Sequence, residues 1–352
     1  MKRREKNTEF QIWVVHAMFS NTYSGSLTQN VLATREAVDI VDTELRDPSI
    51  RTTFVEANGL TFEVDQCGDG DKLAICLHGF PEHSFSWRYQ LPMLAALGYE
   101  AWAPNLRGYG KSSRPAQVED YKMDHLLADV GALIDAAGKK EVVLIAHDWG
   151  AVIAWQFAIE KIRPLTHLVI CNVPHPGPMI TLLKDSWAQK KKSWYVLFFQ
   201  LPRLPEWLLG KNHAQPVADA ILNSSVDKSR FPPEVLEVYR RNADQPGALT
   251  AMVNYYRALI KFRKTTAVED ISKIDVPTLM LWGEDDVALT KESTYGTEEF
   301  VSDFRIRYLP RVSHWVQQEA PEACNVMIEA FLTGEEIPMA EWELKLTLSD
   351  VE

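Results

Sequence analysis

The stretch Glu141 to Ala154, EVVLIAHDWGAVIA, constrains this chain more than any other. Apolar residues from Val142 to Ala146 run without interruption into His147-Asp148-Trp149-Gly150, and an apolar pattern at helical spacing follows at once. A short continuous apolar run closed by a turn reads as a strand buried on both faces, as in a parallel sheet between helical layers. Ala146 and Gly150 stand two positions either side of Asp148. That spacing suits a sharp strand-to-helix turn, where larger side chains would collide with neighbouring backbone. Such a turn lifts the Asp148 side chain above the sheet, at the positive end of the next helix, where an ionised carboxylate is favoured. In that form it can attack carbon. A lone aspartate here would more simply cap the helix; the residues that accompany this one argue for chemistry.

The rest of the chain alternates strand and helix around that unit. Arg51 to Val55 and Leu60 to Asp65 read as two strands joined by an Asn58-Gly59 hairpin turn. Leu73 to His78, Glu100 to Pro104 and Leu165 to Val173 read as further strands, with helices over Trp87 to Leu97 and Tyr121 to Ala137. At Pro174-His175-Pro176-Gly177-Pro178 the pattern changes, and from there only proline-punctuated helical stretches follow, rich in large apolar residues. Strands resume at Val276 to Trp282 and Phe304 to Leu309, and a helix spans Glu322 to Leu332. The expected class is α/β, a mostly parallel, doubly wound sheet with an inserted helical lid and ligand chemistry at the carboxyl ends of the strands. The expected organisation is a helical extension over 1–47, a core over 48–175 and 266–335, a lid over 176–265 and a tail over 336–352.

Both ends raise separate expectations. Leu27 to Leu45 reads as an amphipathic helix. Basic residues at the start precede an apolar Phe10 to Phe19 segment, which falls short of the ~20 residues that span a bilayer and lacks a clean cleavage site. A helix packed on the domain or on a second subunit is favoured over peripheral membrane contact or secretion. In the tail, Trp342, Leu344, Leu346 and Leu348 alternate onto one face, as in an added edge strand. A homodimer through the lid or the terminal segments is therefore an open expectation. The net charge of −11 argues against nucleic acid as a partner. Four cysteines without CxxC spacing suggest reduced packing residues, hence a cytoplasmic location.

Beyond Asp148, two groups complete a chain order of nucleophile, acid and histidine. An acid follows the strand ending at Trp282, in Gly283-Glu284-Asp285-Asp286, and a histidine follows the last strand, in Ser313-His314-Trp315. In this order His314 takes a proton from water while an aspartate fixes its tautomer. Asp286, next to apolar Val287, is preferred to Asp285 for that part. His78-Gly79-Phe80-Pro81 can point the Phe80 N–H into the cleft, paired with the Trp149 N–H as an oxyanion hole. His78 and His147 read as hydrogen-bonded structural residues. No metal-ligand spacing or phosphate-cradling loop occurs, so neither metal nor other cofactor is expected.

His78-Gly79-Phe80-Pro81-Glu82, Ser86-Trp87-Arg88, Arg107-Gly108-Tyr109-Gly110, His147-Asp148-Trp149-Gly150, Trp282-Gly283-Glu284 and Ser313-His314-Trp315 resemble the epoxide hydrolases of the α/β-hydrolase fold. The resemblance runs from about residue 50 to 333 and supports Asp286 as the acid. It implies two lid tyrosines that hold the epoxide oxygen: Tyr195, before Phe198-Phe199-Gln200, and Tyr256, in Asn254-Tyr255-Tyr256-Arg257. It also implies a small-molecule epoxide and water as substrates; aromatic residues in the lid suggest that the epoxide is apolar, with Phe80, Trp149 and Phe198 against it. Asn105 stands where the family usually has Asp, and Ala146 and Ala151 replace common glycines. A haloalkane dehalogenase using the same Asp148, His314 and Asp286 is the alternative, but it needs no pair of lid phenols. A catalytically retired receptor is the more distant one.

Overall fold

The computed structural model describes residues 45–262 and 267–340. All but the last residue of the expected Leu27 to Leu45 helix, the Phe10 to Phe19 segment and the alternating stretch of the tail lie outside the described residues. One sheet holds β1 (Arg51–Ala57), β2 (Leu60–Cys67), β3 (Lys72–Leu77), β4 (Tyr99–Pro104), β5 (Val142–His147), β6 (His167–Cys171), β7 (Thr278–Gly283) and β8 (Phe304–Leu309). Its order is β1-β2-β4-β3-β5-β6-β7-β8. The β1–β2 and β2–β4 pairs are antiparallel, and every pair from β4 onward is parallel. Asn58 and Gly59 both take positive φ, 49° and 71°, as a two-residue hairpin requires.

Both faces of the sheet are covered, which is why its strands read as unbroken apolar runs. In β5, Val142, Leu144 and Ala146 pack into the core of one face, and Val143 and Ile145 into that of the other. On the first face lie α2 (Met123–Ala137) and α3 (Trp149–Ile159); on the second lies α1 (Gln90–Ala96). Between β6 and β7 the described residues form helices and no strand: α4 (Pro176–Asp185), α5 (Trp187–Lys192), α6 (Trp194–Phe198), α7 (Leu204–Leu209), α8 (Lys211–Ser224), α9 (Pro233–Ala243) and α10 (Ala248–Lys261), with one 3₁₀ turn at Lys228–Arg230 and another, Val268–Asp270, ahead of β7. After β8 follow α11 (Val316–Glu319) and α12 (Pro321–Thr333), the latter on the second face. A smaller cluster of Phe85, Ile221, Phe231, Val235, Tyr239 and Trp315 joins this insertion to the loop after β8.

The helix expected over Trp87 to Leu97 is shorter. A 3₁₀ turn covers Ser84–Trp87, and α1 begins only at Gln90. Proline lacks an N–H and fits only a first helical turn, so Pro92 fixes the start two residues before itself. All four cysteines are buried and free, and burial pushes the Cys76 and Cys171 thiols up. Among the described residues no helix is long and apolar enough to cross a membrane.

The sheet order places the chemistry. From β3 the chain steps outward to β4, then returns to the other side of β3 as β5. Loops leaving β3 and β5 therefore diverge and open a crevice at their carboxyl ends. Phe80 follows β3 and Asp148 follows β5, so the two flank that crevice.

Candidate active site

Asp148 occupies a strained corner, with φ 45° and ψ −120°. A non-glycine residue in such a region costs ~1–3 kcal/mol and persists only where its surroundings over-determine it. Here they do. A Cβ on Gly79 would fall 2.2 Å from the Asp148 Cβ, and one on Gly150 would fall 2.3 Å from the Leu77 carbonyl oxygen. The two glycines thus let the loop after β3 and the turn after β5 close on one another around one carboxylate. The Phe80 N–H donates to Asp148 Oδ1 at 2.6 Å, and Asp148 Oδ2 lies 3.6 Å from His314 Nε2. The Phe80-Pro81 peptide is cis.

His314 is oriented from behind. Its Nδ1 lies 2.6 Å from Asp286 Oδ2. A carboxylate only accepts, so that nitrogen carries the hydrogen and Nε2 is turned toward Asp148. Asp286 is itself clamped: Oδ1 accepts from the N–H groups of Ala288 and Leu289 at 2.7 and 2.9 Å, and Oδ2 from Asn172 Nδ2 at 2.9 Å. Asp286 is buried and Asp285 is exposed, so of the two candidates only Asp286 meets the imidazole. Burial would raise both the Asp148 and Asp286 carboxyls, but His314 together with the hydrogen bonds each accepts outweighs it and holds them below the usual carboxylate range. Burial would likewise lower His314, yet Asp286 and Asp148 together raise it well above an ordinary histidine.

Aromatic side chains roof the crevice. The Tyr195 and Tyr256 rings lie 5.9 Å apart, and Tyr256 stands 5.0 Å from Trp149 and 5.4 Å from Phe80. Burial first, and then the Asp148 charge, push both phenols upward, so both keep their protons. Phe199 closes the group, 4.7 Å from Tyr256 and 5.4 Å from Phe80. The Phe198 ring meets Trp194 and Phe199 instead, one step removed from these rings. Tyr239 and Tyr255 spend their hydroxyls elsewhere, on Gln318 Oε1 and the Arg107 carbonyl.

Comparison with known proteins gives the family. The model of the Alpha/beta hydrolase family matches residues 74–325. Epoxide hydrolase 3 of Xenopus tropicalis is 38% identical over 281 residues, covering 78% of this chain and 75% of that protein. This chain belongs to the epoxide hydrolase family of the α/β-hydrolase fold. Human epoxide hydrolase 4 is 35% identical over 300 residues, covering 83% of this chain and 82% of that one. Among solved structures, an inhibitor complex of the Bacillus megaterium epoxide hydrolase superposes with a TM-score of 0.74 at 27% identity, covering 80% of this chain and all of that one.

Within this epoxide hydrolase fold, several buried groups have no counterpart in the sequence-derived site. Glu82 Oε2 meets His147 Nδ1 at 2.6 Å, and its Oε1 accepts from the amides of Gln317 and Gln318 at 3.0 and 2.7 Å. Burial would raise the Glu82 carboxyl, but His147 holds it lowered. The other His147 nitrogen, Nε2, lies 2.9 Å from the His314 carbonyl oxygen. Glu319 accepts from the Ser313 N–H at 3.1 Å and from the Val226 and Asp227 N–H groups at 2.9 and 2.6 Å, joining the insertion to the His314 loop. Lys192 Nζ donates to the Asp286 carbonyl at 2.7 Å. Glu82 closes His78-Gly79-Phe80-Pro81-Glu82 and Asn172 directly follows an apolar strand, but neither position alone names its partner. Asn105 accepts from the Ser84 N–H and donates to Glu63, a structural arrangement.

Proposed function

We propose that this chain hydrolyses apolar epoxides to vicinal diols through an ester on Asp148. One observation carries the reading: the two oxygens of a single carboxylate have separate surroundings. Oδ1 already sits under the Phe80 N–H, while Oδ2 faces the His314 Nε2 side of a crevice roofed by two protonated phenols. The helical insertion that carries those phenols acts as the lid.

In the first step Oδ2 attacks a ring carbon and the carbon–oxygen bond opens. The developing alkoxide takes a hydrogen bond, and then a proton, from Tyr195 or Tyr256. Oδ1 becomes the carbonyl oxygen of the ester. While Asp148 is ionised, two carboxylates hold the His314 proton; esterification removes one of those charges and weakens the hold. His314 then gives up that proton to solvent, and the phenolate recovers one from solvent, so the site enters the second step with a neutral imidazole and both phenols protonated. Neutral Nε2 takes a proton from water as its oxygen adds to the Asp148 carbonyl carbon, and Asp286 stabilises the imidazolium. Negative charge collects on Oδ1 beneath the Phe80 and Trp149 N–H groups, and collapse releases the diol as His314 returns its proton. Phe80, Trp149 and Phe199 supply apolar surface for the substrate, with Phe198 packed behind Phe199.

One turnover in heavy-oxygen water with excess enzyme tests the scheme. Label is expected in the Asp148 carboxylate and absent from the first diol formed; label passing directly into the diol refutes the ester. Aryl and alkyl epoxides assayed beside haloalkanes test the substrate class. Halide release without epoxide turnover would overturn it.

A further inference from the structure

The first part of the helical insertion combines basic side chains with exposed apolar ones. The stretch 179–211 carries six lysines and arginines against two carboxylates, in a chain whose net charge is −11; Lys192 turns inward to the Asp286 carbonyl, which leaves five for the surface. One of those carboxylates, Glu206, is already paired with Arg257 at 2.6 Å. The same stretch leaves Trp187 75%, Leu197 70% and Trp207 62% exposed, with Leu201 and Leu204 also outside. Two lysines sit against these rings: Lys190 Nζ lies 5.2 Å from the Trp187 ring and Lys211 Nζ 4.1 Å from the Trp207 ring. Lys184, Lys191 and Arg203 are exposed nearby in sequence.

We propose that this surface docks onto an anionic phospholipid membrane. The charge selects the occupant. A second copy offering the same face would set basic groups against basic groups, whereas acidic headgroups complement them. Tryptophan and lysine together suit the headgroup boundary: the rings and methylene stems enter the apolar layer while the ammonium groups stay among phosphates. The remainder of the chain is more negative than the whole and is repelled by the same surface, which orients the molecule insertion-first. Within α6, Leu197 faces outward while Tyr195 packs toward the crevice. Docking would therefore bring the roof of the site to the bilayer. Delivery of an apolar epoxide from lipid rests on the proposed reaction; the docking does not.

The test is sedimentation of the full chain with vesicles of phosphatidylcholine, with and without phosphatidylserine, at low and high salt. The wild-type chain is expected to bind the phosphatidylserine vesicles and to be released by salt. Each basic side chain near such a surface contributes roughly fivefold in partitioning. Lys190→Glu with Lys191→Glu should thus lower binding on the order of a hundredfold, and Trp187→Ser with Trp207→Ser by about tenfold or more. Circular dichroism and turnover of a small water-soluble epoxide should remain unchanged in both variants, which separates lost docking from lost folding. Failure of the wild-type chain to prefer phosphatidylserine vesicles overturns the proposal. So does equal binding by both variants, which would assign the attraction to the basic first residues. A concentration-dependent dimer that the tryptophan variant abolishes, without vesicle binding, also overturns it and makes a second copy the occupant.

Discussion

Replacing Asn172 by alanine tests whether the acid–histidine pair depends on a residue that touches neither substrate nor imidazole. Asn172 is fully buried, donates to Asp286 Oδ2 at 2.9 Å and to the Gly283 carbonyl at 3.2 Å, and accepts from the Gly283 N–H at 2.7 Å. It also sits at φ 47°, which asparagine tolerates better than alanine. A hydrogen bond to a charged carboxylate contributes ~1.5–3 kcal/mol, and an orphaned buried N–H costs ~1–3 kcal/mol. The variant should lose ~3–5 kcal/mol of stability, a large share of what a domain has. Asp286 keeps two N–H donors on Oδ1, so the carboxylate stays in place but its imidazole-facing oxygen is less fixed. Ester hydrolysis should slow on the order of tenfold, an oriented base being worth about a hundredfold or more in full. Ester formation by Asp148 should change much less. Urea unfolding gives the first quantity, and rapid-mixing single turnover separates the two kinetic ones. A wild-type unfolding midpoint with wild-type ester decay would refute the reasoning.

Three further outcomes are expected. His314→Gln should form the ester and fail to hydrolyse it, so intact mass rises by that of the epoxide in one equivalent; no accumulation would remove His314 from the second step. Tyr256→Phe and Tyr195→Phe should each lose ~3 kcal/mol, about a hundredfold, in ester formation, by analogy with oxyanion donors; equal losses in ester hydrolysis alone would place the phenols in the wrong step. Asp148→Asn removes one of the two charges that raise His314, so the histidine's titration, followed by its ring-proton resonances, should move down. In the wild-type chain the stability that His314 contributes is complete below the unfolded histidine pKa of ~6.5 and is lost as pH rises through the raised folded value. The variant should lose it at lower pH, and an unmoved titration would mean that the 3.6 Å contact is not felt.

The parts of this molecule that could be read from the chain are those written locally. Each core strand is an apolar run of a few residues bounded by turn residues, and the turn that bears Asp148 lies within ten residues of sequence. His314 and Asp286 were legible because strand ends fall in a fixed order along the chain; between Asp286 and Asp285 the resemblance favours Asp286, whereas its apolar neighbour Val287 is exposed and carries no such signal. What was not legible depends on distance. Asn172 and Asp286 are 114 residues apart, and Glu82 and Gln318 are 236 apart. No periodicity reports such a pair. Phe199, rather than Phe198 alone, lines the roof because the rotation of a five-residue helix is set by what it packs on, and successive helical side chains diverge by about 100°.

The Glu82–His147 pair shows what that distance conceals. His147 precedes the nucleophile directly, at the end of β5, and its Nδ1 meets a carboxylate while its Nε2 meets the His314 carbonyl. The ring thus bridges the loop after β3 and the loop after β8. The separation between Asp148 and His314 is then fixed twice, once above the sheet ends through the carboxylate and once below through this bridge. A general base that must accept a proton from one water molecule gains most from such double fixing, because displacement by even an ångström is costly in rate. The sequence places a histidine beside the nucleophile; only the fold shows that it holds the backbone of the other catalytic candidate.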